Sequence, residues 1–245
     1  MALMRLDKLL AHSGWGSRKD VKKLIKAGRV AVNGVPADDG GLHVDPENDT
    51  VTVDDEPVLY RRYTYLIMNK PSGVITATED AVLPTVLDLL DAADRAPSLF
   101  PVGRLDRDTE GLLLLTNDGQ LAHRLLSPKH HVPKRYAVRV RGWVTEEDAA
   151  RFAAGLVLED GTRTLPAELT ILSAGTVSDC EVTLYEGKFH QIKRMFRVLG
   201  KHVVALKRLS MGPLTLDPAL SPGMYRPLTD DEVRQLKEAA GLAAD

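Results

Sequence analysis

The sequence predicts an α+β protein in two parts. A small N-terminal ααβ unit with its linker occupies residues 1–60, and a larger, mixed, mostly antiparallel domain occupies residues 61–245. Three observations lead there. Charge segregates along the chain: residues 5–30 carry eight Lys or Arg against two acids, whereas residues 37–58 carry eight acids and no Lys or Arg. The N-terminal stretch has the period of two short helices followed by a turn between strands. Beyond residue 61, apolar runs and alternating stretches are scattered among few helices without βαβ regularity, which favours antiparallel pairing.

Taken in order, Leu6, Leu9 and Leu10 form the apolar side of a first helix, broken at Gly14-Trp15-Gly16. Ser17 caps a second helix with Asp20 three residues on, close to a capping box. Val21, Leu24 and Ile25 give that helix its buried stripe, and Gly28 ends it. Arg18, Lys19, Lys22, Lys23 and Lys26 then share its solvent side. Five cations against one acid on a short helix favour phosphate binding over a merely solvated face. Asn33-Gly34 turns a hairpin. The acidic stretch reads as an edge strand and a linker, on a side that would repel a phosphate backbone.

In the second part, Tyr63–Met68 reads as a strand followed by Asn69-Lys70-Pro71-Ser72-Gly73, and residues 85–90 as the start of a helix after Pro84. The chain then reaches Phe100–Gly119, where a charged loop (Arg104, Asp106, Arg107, Asp108, Glu110) runs into Leu112–Leu115 and an Asn-Asp-Gly turn. So short an apolar run predicts a buried strand. Gln120–Leu126 reads as helix, Arg135–Val140 as strand, and Thr145 as the cap of a helix ending at Gly155. Strands are expected around Ala167–Leu172 and Cys180–Tyr185, a helix over Phe189–Leu199, and a last helix capped by Thr229. Two further basic clusters, Arg124–Arg141 with six cations and Lys188–Arg208 with seven, contain no acid. Folded onto one face they would make a groove for a polyanion despite a net charge of only −2.

Several function classes drop out. A single cysteine, Cys180, excludes an internal disulfide and a cysteine-built metal site. No segment has the length and apolarity of a membrane span, and Arg5, Asp7 and Lys8 follow the first residues too closely for a signal peptide, so a cytoplasmic protein is expected. No nucleotide-binding glycine loop and no metal-protease motif occurs, and the seven histidines have no ligand spacing. The chemistry then falls to carboxylates, amines and phenols, with no cofactor and no metal. The candidates are Asp106 and Asp108, Tyr136, and Lys193. A carboxylate can attack a sugar C1′ and hold a covalent intermediate, a neighbouring cation keeps it ionised in a dry pocket, and an aromatic ring stacks on an extruded base. The same residues also fit blander roles: a surface loop laced with ion pairs, a packed strand tyrosine and an exposed helix lysine.

The stretch from Met4 to Pro57, with R-L-D-K-x-L, G-x-x-S-R and G-R-V-x-V-N-G, resembles the S4 RNA-binding domain. The resemblance implies Arg5, Ser17, Arg18, Lys22 and Lys26 as RNA contacts. G-R-L-D-R-D-T-E-G-L-L-L-L-T-N-D-G resembles the central motif of the RsuA family of pseudouridine synthases, and N-K-P-S-G, K-R-Y, E-G-K-F-H-Q-I-K-R-M-F and P-G-M-Y-R-P-L-T match in order. This resemblance implies Asp106 as the catalytic aspartate, Lys193 as its cationic partner and Tyr136 as the ring under the base. It implies Arg104 as the filler of the gap left by a flipped uridine, Ile192 as the apolar wall of the uracil pocket, and His190 and Arg194 as further substrate-binding residues. Lys70, Pro71 and Gly73 would hold the loop from beneath. The implied reaction is uridine to pseudouridine in ribosomal RNA, 16S rather than 23S, within a subunit-assembly intermediate, by a monomer that needs no cofactor. A glycoside-cleaving enzyme using two opposed carboxylates, and a non-catalytic RNA-binding assembly protein, are the rival readings.

Overall fold

The computed structural model describes residues 3–46, 48–58, 60, 63–96 and 98–242. The chain divides into two compact units, residues 1–63 with 92–98, and residues 64–91 with 99–245. No helix among the described residues is long and apolar enough to cross a membrane.

The small unit runs β1 (Met4–Arg5), α1 (Leu6–His12), α2 (Arg18–Lys26), β2 (Val30–Val32), β3 (Val35–Pro36), β4 (His43–Val44), β5 (Val51–Val53) and β6 (Glu56–Pro57). Leu6, Leu9, Leu10, Val21 and Ile25 close its core against Val30, Val44, Val51 and Val53. Ser17 accepts from Asp20 N as the α2 cap. Asn33 and Gly34 both have positive φ, 52° and 78°, as the tightest hairpin turns demand. The acidic stretch departs from its expected role. It supplies three strands: β6 is the expected edge, but β4 pairs with β1 and β5 lies inside the sheet, between β2 and β6. Val51 and Val53 are buried there, so alternating valines outweigh the charge around them.

The second unit contains β7 (Tyr65–Lys70), β8 (Phe100–Pro101), β9 (Glu110–Thr116), α3 (Gly119–Leu126), β10 (Lys134–Arg141), α4 (Glu146–Ala154), β11 (Glu168–Ser173), β12 (Val177–Leu184), α5 (Gln191–Val198), β13 (His202–Met211), β14 (Leu214–Thr215), β15 (Tyr225–Pro227) and α6 (Asp230–Ala239). Its sheet has the order β11-β12-β10-β13-β9-β7-β15, with β14 on β13 and β8 on β9. All pairings are antiparallel except β9 with β13. The four leucines of β9 are fully buried and divide between two cores: Leu113 and Leu115 on one face, Leu112 and Leu114 on the other. A strand buried on both faces reads as a continuous apolar run, not an alternating one.

Gly111 fixes the one parallel join. Its φ is +100°, and a Cβ there would meet the Arg208 carbonyl oxygen at 2.2 Å. Only glycine lets β13 approach so closely at the start of β9.

Three sequence expectations shift. Residues 85–90 form turns rather than a helix: the Asp88 carboxylate accepts from both Thr85 N and its hydroxyl, and Thr85 bridges to Ile75. The turn expected at Asn117-Asp118-Gly119 leads straight into a helix: Asp118 caps α3, which starts at Gly119, by accepting from Leu121 N. Helix α5 begins at Gln191, two residues late, because His190 sits at φ +50°.

Candidate active site

Asp106 lies in the loop between β8 and β9, and that loop is fastened residue by residue. The Lys70 ammonium, fully buried, donates to the carbonyls of Pro71 (3.0 Å), Arg107 (3.4 Å) and Thr109 (2.9 Å). Gly73 N donates to Arg107 O at 2.8 Å, and the Arg107 guanidinium returns a bond to Gly73 O. Thr76 donates its hydroxyl proton to Leu105 O at 2.7 Å. Carbonyls on both sides of Asp106 are therefore anchored to the chain that follows β7. Burial pushes the Lys70 pKa down to about 8, against the pull of Asp108, Glu110 and Asp106.

Above the loop, α5 brings Lys193 to the acids. Its Nζ donates to Asp106 Oδ2 at 2.9 Å and to Asp108 Oδ1 at 2.6 Å. Burial disfavours the ammonium, but the hydrogen bonds and charges of Asp108 and Asp106 outweigh it and set its pKa above the ordinary lysine value. Partial desolvation likewise opposes the Asp108 charge, and Lys193 outweighs it, holding that carboxyl below the usual range. The other oxygen of Asp106 faces His190, whose Nε2 is 3.4 Å from Oδ1. His190 stacks on Phe189 with ring centroids 3.7 Å apart. The turn into α5 is braced from below by Glu186, which accepts from Leu165 N and Gln191 Nε2, each at 2.8 Å. Gln191 Oε1 in turn accepts from Lys188 N.

These groups open onto a cavity of about 770 Å³, a size that holds a nucleotide. Asp106, Arg104, Tyr136, Ile192 and His190 all line it. Tyr136 and Ile192 are buried in its wall, at 8% and 4% exposure. Arg104 is exposed, and among the described residues it makes no ion pair. Lys193 does not line the cavity but reaches Asp106 from α5 behind it.

Arg194 does not line the cavity: it pairs with Asp160 at 2.6 Å and Glu159 at 3.6 Å. One residue beyond Lys193 on a helix, it faces about 100° away. The expected polyanion groove is also reduced. In the two later clusters Arg135 pairs with Glu181, Arg139 with Asp179, Lys188 with Glu186, Arg197 with Glu159 and Lys201 with Asp148. Lys134 and Arg208 are buried, at 4% and 2% exposure. Counting cations along the sequence could not reveal that most of these counter-charges come from elsewhere in the chain.

Sequence reasoning missed three features. Asp108 shares Lys193 with Asp106, a contact across 85 residues with no local signal. His190 faces the aspartate itself. Lys134 and Arg208 are cavity-lining cations, and the alternation of β10 would have placed Lys134 on the face of Tyr136. In the small unit, Arg5 forms a two-bond pair with the buried Asp7, and Ser17 is engaged in the α2 cap. Arg18, Lys22 and Lys26 are exposed without an ion pair among the described residues. No three His, Cys, Asp or Glu side chains among those residues converge as a metal site.

Residues 64–197 match the RNA pseudouridylate synthase family model, and residues 4–57 match the S4 domain. The chain is 55% identical over 238 residues to the uncharacterized RNA pseudouridine synthase YtzG of Bacillus subtilis, covering 96% of this chain and 99% of that one. It is 41% identical to the ribosomal small subunit pseudouridine synthase A of Escherichia coli, over 94% and 98% of the two chains. It is also similar to the crystal structure of a pseudouridylate synthase, with a TM-score of 0.67 and 38% identity over 95% of this chain and 99% of the other.

Proposed function

The chain belongs to the RNA pseudouridylate synthase family, and we propose that it isomerises one uridine of small-subunit ribosomal RNA with Asp106 as the acting carboxylate. The observation that carries the reading is the setting of Asp106: a carboxylate at the edge of a nucleotide-sized cavity, 2.9 Å from an ammonium that is itself largely shielded. A carboxylate at the cavity edge, oriented by a hydrogen bond from an ammonium, is the group that either route through this reaction requires. In one route Asp106 attacks C1′ as the N1–C1′ bond breaks. In the other it removes the C2′ proton to give a glycal. The freed uracil turns, C5 bonds to C1′, the bond or proton held by Asp106 is returned, and the C5 proton is lost to N1. No atom is gained or lost overall.

In this reading Tyr136 lies under the base, Ile192 closes the apolar side of the uracil pocket and Lys193 pairs with Asp106. Arg104, exposed and without an ion pair among the described residues, enters the RNA where the uridine leaves the stack. Extruding the nucleotide costs a few kcal/mol. The cations of α2, with Arg18, Lys22 and Lys26 foremost, offset that cost by neutralising phosphates. Arg5 and Ser17 belong to the same RNA face. Small-subunit rRNA is favoured by the near full-length similarity to the Escherichia coli enzyme that carries that name. The substrate in this reading is RNA in an assembling particle, met by a single copy of the chain.

Carbodiimide primer-extension mapping of both large rRNAs, from cells with and without the gene, tests the target. One stop in 16S rRNA that vanishes on deletion is expected. A vanished stop in 23S rRNA instead would move the target to the large subunit, and free uracil released from RNA would make the protein a glycoside-cleaving enzyme.

A further inference from the structure

The cavity holds two cations that the reading above does not use. Lys134 and Arg208 are its least exposed charged linings, at 4% and 2%. They share one face of the sheet with Tyr136: Lys134 precedes it by two residues on β10, and Arg208 is its register partner on β13. Neither has a carboxylate partner among the described residues. Lys134 donates only to carbonyls, Val132 O at 3.1 Å and Leu125 O at 3.5 Å. Arg208 Nε donates to Leu112 O at 2.7 Å, while its Nη2 is buried without any partner. Thr109, which also lines the cavity, has a buried hydroxyl without a partner. Leaving a charged donor buried and unsatisfied is expensive, and such a group at a cavity wall points to a ligand that completes it.

We propose that Arg208, backed by Lys134, donates to a uracil carbonyl oxygen and stabilises the negative charge that develops on the base as the N1–C1′ bond breaks. The inference rests on the proposed reaction and adds a second electrostatic centre to it. When Asp106 oxygen bonds to C1′, the electron pair of the N1–C1′ bond leaves with uracil and spreads over N1, O2 and O4. In the glycal route the C2′ proton passes to Asp106, and the same pair leaves with the base. Either way one negative charge moves from the carboxylate to uracil. Lys193 holds it at the start, and Arg208 and Lys134 receive it. Preorganised donors in a water-poor site are well suited to this task, because they need not reorganise as the charge arrives. The burial that pushes the Lys134 pKa down to about 8 is relieved when an anion forms beside it.

The test compares uridine with 5-fluorouridine at the target position of a synthetic RNA, in single turnover, by mass analysis of the digested nucleosides, scored as loss of the starting nucleoside because a C5 fluorine cannot leave as the C5 proton does. Fluorine acidifies uracil and makes it a better leaving group, so it needs less help. Arg208→Gln is expected to slow conversion of uridine about 100-fold while RNA affinity is retained. Its deficit on 5-fluorouridine is expected to be at least about threefold smaller. Arg208→Lys, which keeps the charge, recovers about tenfold of the loss. Both substrates meet the same enzyme sample, so the ratio of deficits is independent of how much of a variant is folded. If Arg208→Gln does not fold, Lys134→Met carries the same comparison. Equal deficits on the two bases, or a glutamine variant within threefold of wild type, overturn the inference. Wild-type protein that converts no uridine would instead overturn the proposed reaction.

Discussion

The two units treat positive charge in opposite ways. On α2 of the small unit, Arg18, Lys19, Lys22 and Lys26 stand in solvent without ion pairs among the described residues, and only Lys23 has a partner, Asp20 at 3.2 Å. In the second unit most cations are already engaged. Lys70 is spent on loop carbonyls, Lys193 on two acids and Lys201 on the buried Asp148, while Arg135 and Arg139 of β10 are held across strands. The difference separates two physical tasks. Exposed, mobile cations suit a phosphate backbone, whose neutralisation is non-specific and salt-dependent. Fixed, desolvated cations suit a single charge that must be held in one place. Two clusters that look alike as strings of Lys and Arg are therefore suited to different work.

The contrast can be broken most forcefully at Lys193. Lys193→Met leaves Asp106 and Asp108 without their shared counter-charge, and single-turnover pseudouridine formation is expected to fall about 100-fold or more, with RNA affinity changed little. Lys193→Arg is expected to retain much of the rate. A methionine variant that loses RNA affinity instead of rate would place Lys193 with the α2 cations.

Lys134 tests the buried side of the contrast through pH. Its folded pKa of about 8 lies below the unfolded value of about 10.4, so the unfolded chain binds more protons between those limits and stability rises with pH across them. Relative to Lys134→Met, wild type is expected to gain up to about 3 kcal/mol in urea denaturation as pH rises from 7 to beyond 10. A flat difference would mean that Lys134 is well solvated. The smallest effect is expected on α2. Lys22→Gln should weaken RNA binding about five- to tenfold and lower the salt slope by about one, with no change in the rate of bound RNA. An altered rate with an unchanged slope would contradict the division of labour.

Much of this was legible in the sequence where the signal is local. Ser17, Thr145 and Thr229 cap the helices they were expected to cap, and Asn33-Gly34 turns its hairpin, because caps and turns are decided by a few adjacent residues. The central loop was legible as one contiguous motif, and family resemblance carried Tyr136 and Lys193 to the same cavity region. Non-local features were not. Thr85–Leu90 has an apolar helical period, but Asp88 folds back on Thr85 and ends the helix before it begins. Arg194 and Lys193 are neighbours in sequence, yet one meets Asp160 and the other Asp106. Lys134 and Arg135 are adjacent basic residues of one strand, one buried and one exposed, and only the alternation of the strand tells them apart.

The most direct test of the central claim is the pseudouridine content of rRNA treated with purified wild-type protein and with Asp106→Asn, read by carbodiimide primer extension beside an RNA-binding measurement on the same samples. The account predicts one strong stop with wild type, no stop above background with the asparagine variant, and RNA binding within about twofold for both. A full stop from the asparagine variant would contradict it.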